Sequence, residues 1–411
     1  MSTYQRWQAN VLTNALKTRR VVIVAGARQC GKTTLLKPLA TSGADVEYRT
    51  LDDKLLLESA KTDPQEFVKH RAQLMIIDEV QKAVELLPAI KMVVDENTRP
   101  GQYLLTGSAN IQSLPSVTES LAGRIRTIPL RSLSQGEIAG HQPHFLENAF
   151  KQVFHQPPES VSRDEIIEVA LRGGYPEVLL FSQHDRYLWH QNYIDALLER
   201  DLKEIIHIRR QEAMQNLIQV LSAWSTKPID ISAIGSNLSL QRQTVESYCN
   251  AIEALYLIDR ISPYIKTDYE RVGKQSKLIF NDSGLMASIL RWKIDDIRFD
   301  GDRVGKLIET HVGNELQKHI DATENRCNLY HYRDKNHREI DFIIENEQGD
   351  LLGIEVKAST TPSPSDFKHL KWFKENIVPA HKKFIGVVLH TGNFIGSFGD
   401  NSWAVPIACL Y

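Results

Sequence analysis

Short apolar runs divide the first part of the chain. Val21-Val22-Ile23-Val24, Leu74-Met75-Ile76-Ile77 and Tyr103-Leu104-Leu105 are continuous apolar segments bounded by glycine, threonine or acid. Runs of this length and composition predict strands buried on both faces of a parallel sheet. From about Asp164 to His207 the period lengthens, and Tyr193-Ile194, Leu197-Leu198 and Leu202 recur as the core-facing stripe of a helical region. Between 228 and 265, Ile229–Ile234 starts one predicted helix. Ser239 N-caps a longer one, with Tyr248, Ile252, Leu255 and Leu257 on its apolar side, and Arg260–Tyr264 follows as a short β wing. In the last hundred residues, Ile340, Phe342 and Ile344 alternate with Glu339, Asp341 and Ile343. Glu345–Gly349 reads as a turn, and Leu352–Lys357 alternates again, which predicts a half-buried hairpin.

A chain of 411 residues exceeds one ordinary core, so two or three domains are expected. Apolar content of 42% and charged content of 24% are those of a soluble globular protein. With a net charge of −2, any nucleic-acid contact must come from a local patch. The four cysteines are scattered without a C-x-x-C pair, which argues against a zinc site and for a reducing compartment. No stretch approaches the roughly 18 apolar residues of a membrane span, and the first residues carry no apolar targeting segment. A cytoplasmic protein without membrane contact is expected.

Chemistry enters at Gly26-Ala27-Arg28-Gln29-Cys30-Gly31-Lys32-Thr33, which fits G-x-x-x-x-G-K-[ST]. A buried strand precedes it and Thr34–Ala40 opens a helix, so backbone N–H groups and the helix N-terminus can cradle a phosphate. Lys32 would reach the β- and γ-phosphates and the Thr33 hydroxyl would hold Mg²⁺. Nucleoside triphosphate binding is the expectation. Cys30, inside the loop, is either a site of blockage by alkylation or a filler of a permissive position.

Leu74–Ile77 ends in Asp78-Glu79. Asp78 suits the Mg²⁺ shell, and Glu79 is placed to polarise an attacking water. The third apolar run ends in Thr106-Gly107-Ser108. Ser108, with Thr106 as the alternative, suits a γ-phosphate contact, or else simply a polar strand end. Arg124, in Glu119–Arg124, has two readings as well: a phosphate contact in its own or a neighbouring subunit, or a surface arginine after a helix-ending glycine.

The hairpin near the C-terminus supplies a second constellation. Period two places Glu355 and Lys357 on one face, and suitable register would bring Asp341 to them. Two carboxylates could hold Mg²⁺ or Mn²⁺, and the lysine could orient water. Glu309 falls in the stripe Val312, Leu316, Ile320 of a helix predicted over Gly305–Ile320, where an acid needs a partner. Tyr332–Arg338 offers basic charge to a phosphate backbone. A solvated face with cross-strand ion pairs would have the same pattern.

Taken together, G-A-R-Q-C-G-K-T, I-I-D-E-V-Q, L-L-T-G-S and E-S-L-A-G-R resemble the prokaryotic AAA+-type ATPases related to the STAND signal-transduction class. Gly173-Gly174-Tyr175-Pro176 is similar to the G-x-P motif of their helical lid, which implies that Pro176 packs on adenine. The order of parts, with R-E-I-D-F and I-E-V-K near the end, resembles family members that carry a C-terminal PD-(D/E)XK nuclease-like domain, long labelled a domain of unknown function. The resemblance implies an α/β chain in four parts: an AAA+ P-loop core over 1–140, a helical lid over 141–225, a winged-helix-like module over 226–270, and a linker with a restriction-endonuclease-like domain over 271–411. It implies ATP and Mg²⁺ as cofactors, catalysis by Lys32, Asp78 and Glu79, a second site of Glu309, Asp341, Glu355 and Lys357, and nucleic acid as partner. The thin basic content of Gln241, Arg242, Gln243 and Glu246 favours a structural role for the winged-helix-like module. An ATP switch with a docking module in place of a nuclease is the competing expectation. Oligomeric state is left open, with a ring dependent on Arg124 as one form.

Overall fold

The computed structural model describes residues 4–41, 45–108, 121, 123–157, 159–202, 211–265, 275–324 and 326–411. They form two compact units, one running to Leu133 and including Ala254–Tyr256, the other comprising Ser134–Glu253 and Leu257–Tyr411.

In the first unit, β1 (Val21–Ala25), β2 (Val46–Thr50), β3 (Leu74–Asp78), β4 (Tyr103–Gly107) and β5 (Ile125–Pro129) form one sheet in the order β2-β3-β4-β1-β5. Every pairing is parallel. The three apolar runs read from sequence are its central strands, buried at every position. Alternation sorts their side chains into two cores. Val21, Ile23, Met75, Ile77, Tyr103 and Leu105 join the helix Leu86–Glu96 on one face. Val22, Val24, Ile76 and Leu104 join the helices Gln8–Thr18 and Lys32–Thr41 on the other. Because β4 lies between β1 and β3, the loop after β1 and the acids ending β3 face each other at the carboxyl edge of the sheet, where parallel α/β sheets bind ligands.

The second unit opens with helices. Ser162 and Glu165 form a capping box on Arg163–Arg172, a 3-10 turn Pro176–Leu180 follows, and Gln183–Ala196 continues the expected helical region. The part of that region over 203–210 lies outside the described residues. Of the two helices expected next, Ile231–Leu238 is capped by Asp230, and Arg242–Ala254 follows. Ser239 does not cap the second helix. It closes the first in a left-handed conformation, φ 52°.

The strand expected as a wing belongs to a larger structure. β6 (Ile258–Pro263) pairs antiparallel with β7 (Lys277–Phe280) and parallel with β8 (Asn328–Arg333). Through β8 it joins β9 (Glu339–Glu345), β10 (Leu351–Lys357), β11 (Phe384–His390), β12 (Gly396–Ser397) and β13 (Ser402–Pro406) in an eight-stranded sheet, β12-β13-β11-β10-β9-β8-β6-β7. The helix Lys368–Asn376 packs Leu370 and Phe373 with Ile340, Ile343, Leu351 and Val388. The longer helix Gly301–Ala322 meets Phe342, whose ring leaves no room for a β-carbon at Gly313.

The alternation read along β9 breaks at Asp341. Tyr330 pairs with Ile343 and Tyr332 with Ile340, so Asp341 and Phe342 together oppose His331. This extra residue is a β-bulge, which re-aims side chains and often lies beside functional sites. It also explains why Ile340 and Ile343 share one core cluster.

Candidate functional site

β1 hands the chain to the glycine loop at Ala25. A β-carbon on Gly26 would lie 1.9 Å from the Leu130 carbonyl oxygen, so the loop starts where only glycine fits. Gly31 closes it at φ 100°, and the helix Lys32–Thr41 begins immediately. Lys32 is buried and donates to the carbonyls of Gly26 and Ala27, both at 2.9 Å. Its ammonium thus lies over the loop that would hold phosphate. The Cys30 side chain is buried in the core beside β1, the filler of the two readings. Arg6 donates to the Cys30 carbonyl at 2.6 Å and to the Arg131 carbonyl at 2.7 Å, bracing the loop from the N-terminal segment.

Across the sheet edge, Thr33 Oγ1 donates to Asp78 Oδ2 at 3.3 Å, which joins the two residues expected at Mg²⁺. Asp78 is buried and accepts two further hydroxyls, Tyr48 at 2.7 Å and Thr106. Burial, then the bond and charge of Asp78, raise the Tyr48 phenol above its ordinary range, so it remains a donor. Glu79 adopts φ 61°, ψ 45°, a left-handed conformation that costs a non-glycine residue about 1–2 kcal/mol. Its N–H bonds to Thr106 Oγ1 at 2.9 Å. Its carboxylate accepts from Ser108 Oγ at 3.2 Å and from Gln81 Nε2, which also reaches Ser108 at 2.8 Å. Ser108 therefore orients Glu79, and Thr106 links Glu79 to Asp78. Arg6, Tyr48 and Gln81 had no assigned role in the sequence reading. Of these only Gln81, two residues from Glu79, carried a positional hint.

Arg124, expected at the nucleotide, lies at the other end of the sheet. It precedes β5, whose Ile125 pairs with Val21 at the start of β1, and its guanidinium grips both oxygens of Asp95. Parallel pairing places it a full strand length from the glycine loop. The preceding residues 109–120 lie outside the described residues. Pro176 lies in the second unit. There Gly173 (φ 72°) would place a β-carbon 2.2 Å from Asp282, and the Gly174 N–H donates to Asp282 at 2.9 Å, locking the turn before Pro176.

The C-terminal constellation converges in part. Asp341 Oδ2 accepts the Val356 N–H at 2.8 Å, just beyond the last β9–β10 pair, Phe342 with Ile354. Lys357 Nζ donates to Glu355 Oε2 at 3.2 Å. Glu355 is buried, and its Oε1 has no hydrogen-bond partner. Burial first, then repulsion from Asp341, raise its carboxyl well above the usual range. A residue not anticipated from sequence, Lys277, enters between Glu309 and Asp341. Its side chain is wholly buried, its ammonium pairs with Glu309 Oε1, donates to the Asp341 carbonyl at 3.1 Å and lies 3.8 Å from Asp341 Oδ1. It also lies 4.8 Å from the centroid of the Phe342 ring. Burial opposes its charge, but Glu309 and Asp341 outweigh that and raise its pKa. Burial pushes the Glu309 carboxyl up to about 7, against the pull of Lys277.

The two expected metal positions differ. Thr33 and Asp78 are hard oxygen donors in contact below an ammonium and a loop of N–H groups, a set that fits a nucleotide with its Mg²⁺. Among the described residues, no group of three or more His, Cys, Asp or Glu is arranged to hold a metal ion. Within the expected set of Glu309, Asp341 and Glu355, Lys277 stands between the first two.

Residues 18–139 match a family model described as AAA domain, while 163–296 and 304–410 match two models described as domains of unknown function (DUF8612 and DUF4143). Uncharacterized proteins of Mycobacterium tuberculosis and Mycobacterium bovis are each 26% identical over 356 residues, covering 86% of this chain and 74% of theirs. Similar solved structures include a Walker-type ATPase of Pyrococcus abyssi, 14% identical, with a TM-score of 0.41 over 69% of this chain and 94% of that one. The Thermotoga maritima RuvB Holliday junction branch migration motor is 14% identical, with a TM-score of 0.28 over 62% and 90%. Among the described residues, no helix is long and apolar enough to cross a membrane. The motif, the parallel sheet and the AAA domain match together make the first unit an α/β domain of the P-loop ATPase type.

Proposed function

We propose that the chain binds and hydrolyses ATP with Mg²⁺, and that the nucleotide state governs a second unit that acts on or binds nucleic acid. The observation that carries the first part is the contact of Thr33 with Asp78 beneath the glycine loop. Lys32 would exchange its two loop carbonyls for phosphate oxygens, and Thr33 and Asp78 would hold the metal shell. Bound Mg²⁺ supplies charge neutralisation between the β- and γ-phosphates. Glu79, held by Ser108 and Gln81, would accept the proton of the attacking water. Arg333, exposed at the end of β8, and Lys335, exposed in the turn before β9, support a phosphate contact in the second unit.

Within that reading, the ion pairs of Lys277 favour a docking role over cleavage for the C-terminal sheet. The tie of Arg124 to Asp95 favours a structural role for that arginine within its own sheet. Mg²⁺-dependent release of phosphate from ATP by the full chain, compared with Lys32→Ala, tests the first part. Equal turnover by both proteins would remove it.

A further inference from the structure

A buried cluster of acids must be neutralised by protons, by a metal or by the protein's own cations. Around the bulge of β9, Glu309, Asp341 and Glu355 bring three carboxyl groups together, Glu355 buried and the other two partly buried, and Lys277 and Lys357 bring two ammonium groups to the same place. The contacts account for most of the oxygens. One Asp341 oxygen takes the Val356 N–H, and the other faces Lys277. Glu309 pairs with Lys277, and one Glu355 oxygen pairs with Lys357. Glu355 Oε1 has no hydrogen-bond partner.

A Mg²⁺ or Mn²⁺ ion bound by these acids would need several of those oxygens converging at about 2.0–2.3 Å. Between Glu309 and Asp341 that position coincides with the Lys277 ammonium, and two cations cannot share it. Lys277 cannot withdraw to solvent without repacking, because its stem is wholly buried and its ammonium lies over the Phe342 ring. β7 is the edge strand of the sheet, so one residue at the sheet's rim supplies the charge that the acids on β9 and the helix Gly301–Ala322 require.

We infer that Lys277 is the built-in counter-ion of the Glu309–Asp341 pair, occupying the position a divalent cation would take, so that this sheet folds and binds its partner without loading a metal. The inference bears on the second unit alone and stands apart from the ATPase reading.

The test is titration of the full chain with Mn²⁺ in the absence of nucleotide, followed by calorimetry and by the spin-resonance signal of free Mn²⁺. Wild type and Asp341→Asn are expected to give the same isotherm. Lys277→Met is expected to gain about one Mn²⁺ per chain, and the added Asp341→Asn change to remove it. Mn²⁺ binding by wild type that Asp341→Asn abolishes would overturn the inference, as would a folded Lys277→Met that gains no site. If Lys277→Met does not fold, the comparison of wild type with Asp341→Asn decides alone. Because nucleotide is absent, failure of ATP hydrolysis leaves each of these outcomes unchanged.

Discussion

The Thr106 hydroxyl donates to the Asp78 carboxylate, and its oxygen also accepts the Glu79 N–H at 2.9 Å. One buried side chain on the intervening strand thus fixes both acids at the end of β3, and it holds Glu79 in its left-handed turn. Thr106→Val keeps the shape and removes the hydroxyl, leaving a buried N–H and a carboxylate oxygen without that partner. The expected cost is about 1–3 kcal/mol of stability, with turnover falling more than ATP affinity. Urea unfolding together with steady-state hydrolysis measures both. Wild-type stability in the variant would mean that the hydroxyl does not brace the acids.

Lys32 should matter for nucleotide and little else. Lys32→Ala is expected to weaken ATP binding by about 10- to 100-fold, the effect of a lost charged hydrogen bond. ATP would then no longer raise the melting temperature at concentrations that stabilise wild type. An unchanged ATP-dependent shift would place the phosphates elsewhere.

Arg124 gives the opposite expectation. Its guanidinium is engaged by Asp95 at the far edge of the sheet, and the pair is partly exposed. Arg124→Ala should leave ATP affinity within about twofold of wild type, since partly exposed pairs contribute little and screening reduces them further. A large loss of turnover that depends on protein concentration would instead support an action between subunits.

The buried histidines of the second unit impose a pH dependence. His311 meets the Tyr411 hydroxyl at 2.9 Å, and burial lowers its pKa to about 4 from an ordinary 6.5. Unfolding therefore takes up a proton between those values. The histidine's share of stability is full above about pH 6.5 and is lost as pH falls toward 4. Comparing wild type with His311→Gln isolates the histidine. Urea midpoints for the variant should fall less steeply between about pH 6.5 and about pH 4.5, and parallel curves would contradict the assignment.

The parts of this fold that were legible in the sequence are those written locally. The glycine loop, its strand and its helix are contiguous, and the run ending in Asp78-Glu79 announces itself by hydrophobicity alone. What could not be read comes from distant segments. Arg6 and Tyr48 reach the site from other elements, with only ordinary side-chain chemistry to mark them. The β9 alternation looked unbroken because a bulge is a property of the pairing with β8, not of either strand alone. Lys277 lies 32 residues before Glu309 and 64 before Asp341, in a short strand whose apolar neighbours suggested only a connection to the last domain. The wing-like strand was recognisable as a strand, but not as a member of an eight-stranded sheet.

The central claim concerns Glu79, and replacing one carboxylate oxygen tests it most directly. Glu79→Gln preserves size and can still meet Ser108 and Gln81, but it cannot accept a proton from water. ATP affinity and single-site turnover should be measured on this variant and on wild type in Mg²⁺. The account predicts binding within about threefold of wild type and a turnover number lower by about 10²- to 10⁴-fold. Hydrolysis at the wild-type rate by Glu79→Gln would contradict it.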